Sequence, residues 1–287
     1  MTANEPPETS QDPGRRTVDE IEADLQAKED ALLSWPVAEI FTSINGEGPK
    51  AGRLAAFIRF PQCNLSCSFC DTAWANAADC PTNTESLSDL VSFVSASGAE
   101  CITLTGGEPL LQDNIDHLIR GLLAADPDWA IEIETNGATD LTTAAEARHA
   151  WAHRRAHALL GDDNGGVLSR LNRRNLFLRE SSRVSFTMDW KLPSSDMEDY
   201  MLPENLKLLE PHDSIKFVAG TADDLDRALE IMHEYDLTDR EGVFFSPVFG
   251  ELEPSDIVEF MKRNRLSKAR VQLQLHKIIW PNEQKGV

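Results

Sequence analysis

Apolar positions along the chain follow two different spacings. LAAFIRF (54–60), ECITLT (100–105), AIEIET (130–135), RVSFTMD (183–189), SIKFV (214–218), GVFFS (242–246) and RVQLQL (270–275) are short, β-branched or aromatic runs that predict strands. Between them, segments at about 84–97, 113–125, from about 141, at 222–236 and at 254–264 carry the three-to-four-residue spacing of helices. Strands that alternate with helices predict βαβ units and a mostly parallel sheet, hence an α/β fold. A further strand-like run at 35–44 ends in Asn45-Gly46-Glu47-Gly48, a turn whose glycines let the backbone approach a ligand closely.

Two stretches stand outside this alternation. Residues 1–16 are polar and proline-bearing and predict a disordered tail, after which Thr17 and Glu20 form a capping box ahead of Ile21, Leu25 and Leu32 on one face of a short acidic helix. The expected organisation is an N-terminal extension at 1–34 and one α/β domain at 35–287. Residues 144–183 carry eight arginines against four acidic residues, with GDDNGG (161–166) in the middle. Trp151, Leu159, Leu160, Leu168, Leu171 and Leu176 predict a helix–loop–helix excursion on the surface. A solvated insert with unpaired arginines is the plainer expectation, and a contact with an electron donor or a neighbouring subunit is the alternative.

Chemistry concentrates in PQCNLSCSFCDTAW (61–74), where Cys63, Cys67 and Cys70 form a C-x3-C-x2-C array. One short loop can aim three thiolates at an iron–sulfur cluster or a thiolate metal site. Three ligands leave one iron of a four-iron cube open to a substrate or cofactor. A structural zinc site is the alternative; it normally takes four ligands, with Cys80 available as the fourth. Polar residues also gather where strands are predicted to end: Thr105-Gly106-Gly107-Glu108, Glu134-Thr135-Asn136, Asp189 with Lys191, Ser246-Pro247 and His276. In barrels and open α/β sheets that edge binds ligands. No Gly-x-Gly-x-x-Gly turn follows the first strand, which argues against dinucleotide binding.

The 287 residues, 41% hydrophobic, suffice for one large α/β domain. The 27 basic against 48 acidic residues, a net charge of −21, argue against a general nucleic-acid or anionic-membrane surface and favour a small-molecule substrate. No apolar window has the length of a membrane span, the first thirty residues lack the apolar core of a secretion signal, and the odd cysteine count argues against a disulfide framework. A reducing cytoplasm is the expected compartment.

The cysteine array, with Phe69 just before its last member, resembles the signature of the radical S-adenosylmethionine (SAM) superfamily. The ordered blocks FTSINGEG (41–48), FIRFPQCNLSCSFCDT (57–72), TGGEP (105–109), ETNG (134–137) and LQLHK (273–277) resemble the 7-carboxy-7-deazaguanine synthase family of the queuosine and deazapurine pathways. That resemblance implies a partial (β/α)6 barrel and a [4Fe-4S] cluster on Cys63, Cys67 and Cys70. The cluster would bind SAM and cleave it reductively to a 5′-deoxyadenosyl radical. The reaction implied is conversion of 6-carboxy-5,6,7,8-tetrahydropterin into 7-carboxy-7-deazaguanine with loss of ammonia, with Mg²⁺ on Thr72.

It further implies SAM contacts from Phe69, Gly107, Glu108, Glu134, Asp189, Trp190, Lys191, Ser246, Pro247, Val248 and Phe249. The pterin would meet Ile44, Asn45, Gly46, Glu47, Arg59, Thr105, His276 and Pro281. An electron donor such as flavodoxin or ferredoxin and a homodimer are the implied partners. The chain departs from the family pattern at Asn45, where a glutamine is usual, and at Asp189-Trp190-Lys191, where Ser-Pro-Lys is common. The rival readings are a radical SAM activase that installs a glycyl radical on a partner enzyme, and a non-catalytic iron–sulfur or zinc protein.

Overall fold

The computed structural model describes residues 32–161, 167–281 and 285–286. The expected tail and acidic helix lie outside the described residues except for Leu32, which is exposed. The run at 35–44 divides in two. β1 (Ser34–Val37) pairs antiparallel with β4 (Asn83–Ser86) in a small ribbon, and β2 (Glu39–Ile44) pairs antiparallel with β3 (Leu54–Phe60) at one edge of the main sheet. Pro36 has no N–H to give a central ladder, which suits a two-stranded ribbon. The first helix, α1 (Leu87–Ser97), begins later than its spacing predicts because Ser86 and Asp89 form a reciprocal capping box and the residues before them pair with β1.

The main sheet then alternates β5 (Cys101–Gly106), α2 (Ile115–Ala125), β6 (Ala130–Thr135), the helix pair α3 (Thr142–Leu160) and α4 (Val167–Ser181), β7 (Val184–Trp190), β8 (Ser214–Ala219), α5 (Ala222–Glu234), β9 (Val243–Pro247), α6 (Pro254–Asn264) and β10 (Arg270–Val271). From β3 to β10 all pairings are parallel, in the order β10-β9-β8-β7-β6-β5-β3-β2, and the ladder stays open between β10 and β2. This is an α/β partial barrel. Three short 3₁₀ turns between 193 and 207 take the place of a helix between β7 and β8. The last predicted strand stops at Val271. Gln272 makes the final backbone bond to Phe245, and the chain turns into the short helix α7 (Leu275–Ile279), whose Leu275 N–H reaches Gly46.

Strand alternation sorts the side chains of the barrel. Ile102, Leu104, Ile131, Ile133, Val184, Phe186, Met188, Ile215 and Phe217 are fully buried in the apolar core. Their neighbours Thr103, Thr105, Glu132, Glu134, Ser185, Thr187, Asp189 and Lys216 take the opposite face, the lumen. There Thr105 donates to Glu134 (2.7 Å), Thr187 donates to Glu132 (2.6 Å) and Lys50 donates to Ser185 (2.8 Å).

The basic stretch forms a helix pair with several arginines exposed, as expected of a surface excursion, but others are paired and one is buried. Arg148 is fully buried, with both oxygens of Asp213 within 2.9 Å, Leu208 O at 3.0 Å and the Phe186 ring 4.8 Å from its guanidinium carbon. Asp213 also accepts from Phe186 N and Glu210 N. Trp151 is buried, Arg155 lies 3.8 Å from Glu180, and Arg183 donates to Glu180 at 3.0 Å. These bonds anchor the helix pair at the amino-terminal ends of β7 and β8. Replacing Arg148 with Met strands a buried carboxylate, so urea unfolding of the metal-free chain is expected to show a loss of about 3–5 kcal/mol. A loss below about 1 kcal/mol, the scale of an exposed pair, would show that Asp213 needs no cation.

Candidate active site

The carboxyl ends of the strands open into a cavity of about 690 Å³. Its wall begins where β3 runs into the cysteine loop. Gly107 N donates to Phe60 O (3.0 Å) and Glu108 N to Gln62 O (2.8 Å), so the 105–109 turn is zipped to the root of that loop. Glycine is required here. A Cβ on Gly106 would sit 2.2 Å from Phe60 O, and one on Gly107 would sit 1.6 Å from Gln62 O. The Glu108 carboxylate, fully buried, accepts from Leu110 N (3.0 Å), Thr135 Oγ1 (2.9 Å) and Asn136 N (2.7 Å). Asn136 in turn offers its amide to Cys63 Sγ (3.3 Å) and Asn64 Oδ1 (2.7 Å). Its Asn-Gly pair, which reads as an ordinary turn, is therefore part of the thiol's setting.

Cys63, Cys67 and Cys70 all line the cavity. Burial pushes the Cys63 thiol up, against the Leu65 N–H and the Asn136 amide; burial likewise raises Cys67, against Lys191. Deeper in the lumen, Glu134 is pushed up to about 7, chiefly by burial. Glu108 reaches about 7 for the same reason, its three hydrogen bonds only partly offsetting desolvation. At Asp189 burial opposes the charge, but Lys191 at 2.9 Å and Lys216 at 3.6 Å outweigh it and hold the carboxyl below its usual range. Lys216 also pairs with Glu47 at 2.9 Å, and these acids hold its ammonium firmly charged against burial.

The radical SAM superfamily model matches residues 57–177. The 7-carboxy-7-deazaguanine synthase of Clostridium acetobutylicum is 40% identical over 89% of this chain and 100% of its own length. The chain belongs to the 7-carboxy-7-deazaguanine synthase family. The synthase of Chlorobaculum tepidum is 31% identical over 88% of this chain and 96% of its own. The crystal structure of QueE from Escherichia coli superposes with a TM-score of 0.57 at 18% identity, covering 87% of this chain and 97% of that one, and supports the fold.

Membership brings a [4Fe-4S] cluster and SAM, and the residues present fit both. Cys63, Cys67 and Cys70 bring three thiolates to one cavity, the number a cube with one open iron takes. Amide donors from Leu65 and Asn136 to Cys63 Sγ and from Asn76 to Cys70 Sγ (3.7 Å) suit thiolate ligands. Asp189 Oδ1, buried and without a partner in the protein, can accept from a polar hydrogen of SAM.

Of the site residues expected for this family, Ile44, Gly46, Glu47, Arg59, Phe69, Thr72, Thr105, Gly107, Glu134, Asp189, Lys191, Val248, Phe249 and His276 line the cavity with the thiols. Asn45, Glu108, Trp190, Ser246, Pro247 and Pro281 do not. Asn45 lies beneath the floor, accepting from Thr103 (2.8 Å) with its amide near Glu132 and Cys101. Glu108 is enclosed by the turns it ties together. Trp190 follows Asp189 in the strand, so alternation sends it outward against Tyr235, 5.5 Å between ring centres. Ser246 is buried under Glu47 (3.2 Å), Pro247 is buried, and Pro281 is exposed beyond α7.

Sequence reasoning missed Lys216, Gln274, Glu251 and Lys277, which line the cavity, and Gln272, which holds Gly48 N (2.8 Å) and Glu47 (3.2 Å). The signal for Lys216 was present: a lone cation at an alternate position of SIKFV. Because the folded state keeps a proton on Glu134 up to about pH 7, where the free side chain gives it up near 4.5, stability from that proton is full below 4.5 and fades through 7. Glu134→Gln is therefore expected to gain stability relative to the parent as pH rises across that window. Urea midpoints at its two ends measure this, and parallel pH profiles would contradict it.

Proposed function

We propose that this chain converts 6-carboxy-5,6,7,8-tetrahydropterin into 7-carboxy-7-deazaguanine with loss of ammonia, as a lyase-type radical SAM enzyme. The observation that carries this is the convergence of three thiols, the hydroxyl of Thr72 and a polar lumen on one cavity, in a chain so similar to a synthase along that protein's whole length. When bound, the cluster and SAM supply a carbon radical that takes hydrogen from the substrate.

The protein's own share is to bind, orient and exclude water. Cys63, Cys67 and Cys70 hold the cluster. Gly107, Asp189 and Lys191 face SAM, and Phe69, Val248 and Phe249 cover it. Arg59, Thr105, Glu47 and His276 face the pterin. Arg59 is oriented by Glu39, 2.8 Å from its Nε, and by the Phe41 ring beneath it, leaving its terminal nitrogens for the substrate carboxylate. Burial holds His276 below its ordinary range, so the imidazole is neutral at pH 7 and can either donate or accept. Thr72 offers one oxygen to Mg²⁺, whose other ligands are substrate and water. The radical SAM core domain at 35–287, with its helical insert at about 144–183, carries the chemistry, and residues 1–34 form an N-terminal extension. A flavodoxin- or ferredoxin-like donor, a homodimer and a cytoplasmic setting complete the reading. No helix among the described residues is long and apolar enough to cross a membrane.

Anaerobic reconstitution followed by SAM, reductant and 6-carboxytetrahydropterin is expected to yield 7-carboxy-7-deazaguanine. SAM cleavage without pterin consumption would retain the superfamily and remove this substrate. Arg59→Ala loses charge-assisted hydrogen bonds worth about 1.5–3 kcal/mol, so kcat/KM for the pterin should fall about tenfold or more. Unchanged turnover would remove the carboxylate clamp.

A further inference from the structure

Lys216 has no task in the reaction as proposed, yet its ammonium stands in the middle of the lumen. It projects from β8 opposite Asp189 in the register with β7. Its Nζ lies 2.9 Å from Glu47 Oε2 and 3.6 Å from Asp189 Oδ2, with all three side chains largely buried. The two carboxylates belong to different parts of the chain. Glu47 sits in the turn after β2, and Asp189 near the end of β7.

Each acid also has partners besides Lys216. Glu47 also accepts from Ser246 Oγ and Gln272 Nε2, each at 3.2 Å. Asp189 also accepts from Lys191 Nζ at 2.9 Å. What the two lack is independence, because one compact ammonium serves both. If Glu47 turns toward a ligand or loses its charge, Lys216 is free to close on Asp189 and draw its carboxylate away from the cavity. If Asp189 engages a ligand through its unpartnered Oδ1, Lys216 shifts toward Glu47.

We infer that Lys216 is a positioning residue that couples the pterin-facing wall to the SAM-facing wall through its shared ion pair with Glu47 and Asp189. This rests on the assignment of those walls in the proposed function. The coupling is reciprocal, since a change of SAM affinity caused at Glu47 must be matched by a change of affinity at Glu47 caused by SAM.

A mutant cycle on SAM affinity tests this without any pterin present. Reconstituted holoenzyme is titrated with SAM for the parent, Glu47→Gln, Lys216→Met and the double variant, with cluster content and Tm recorded for each. Glu47→Gln is expected to weaken SAM binding about fivefold or more, within the usual range of coupling between sites. In the Lys216→Met background the same change should leave SAM affinity within about twofold. Lys216→Arg should restore the sensitivity to Glu47→Gln, a rescue that a role in folding alone would not give.

If Glu47→Gln leaves SAM affinity unchanged, or weakens it equally in both backgrounds, the coupling does not exist. Should Lys216→Met fail to load the cluster, a cycle of Glu47→Gln with Asp189→Asn reads the same coupling, and additivity there overturns it. A chain that binds and cleaves SAM without consuming the pterin would sink the proposed substrate and leave this cycle standing, so the two failures are distinguishable.

Discussion

The site depends on one buried carboxylate. Glu108 receives three hydrogen bonds, two from the backbone and one from Thr135, inside a turn that is itself bonded to the root of the cysteine loop. By this means the ends of β3, β5 and β6 are held as one rigid corner. Removing an acceptor of this kind leaves several donors buried and unpaired, a far larger penalty than the net gain from any one of the bonds. The glycines at 106 and 107 are the steric condition for it, because only a chain without Cβ atoms can lie so close to Phe60 and Gln62.

Around that corner the barrel separates two kinds of energetics. Its outer face is a mostly apolar layer beneath the helices, broken by the buried Arg148–Asp213 pair, and burial of that layer drives folding. Its inner face holds Glu47, Glu132, Glu134, Asp189, Lys191 and Lys216, charges that gain little net stability from being paired in the interior. Their value lies in orientation. A buried group already fixed by its neighbours meets a ligand without reorganising, which is what binding and positioning at a reactive centre demand.

The basic helix pair shows the same economy at the opposite edge of the sheet. Its arginines answer specific carboxylates, Asp213 and Glu180 above all, and tie the helices to the amino-terminal ends of β7 and β8. That edge is remote from the thiols by construction, since the cysteine loop leaves β3 at its carboxyl end. Part of the charge that looks anomalous in so acidic a sequence is thus structural, with Arg148, Arg155 and Arg183 bound to carboxylates.

Local pattern in the sequence determined the strands, most of the helices, the parallel sheet, the thiol array and the strand ends that carry polar residues. Each of these depends on residues near one another in the chain, so spacing alone reveals it. Only the tertiary structure decided that Asn45 and Glu108 lie outside the cavity, that Trp190 faces the helices, that the last strand stops at Val271 and that Arg148 is a buried cation. It also decided which charges share the lumen. Glu47, Asp189 and Lys216 are far apart along the chain, and no periodicity encodes the curvature of the partial barrel that brings them within ion-pairing distance.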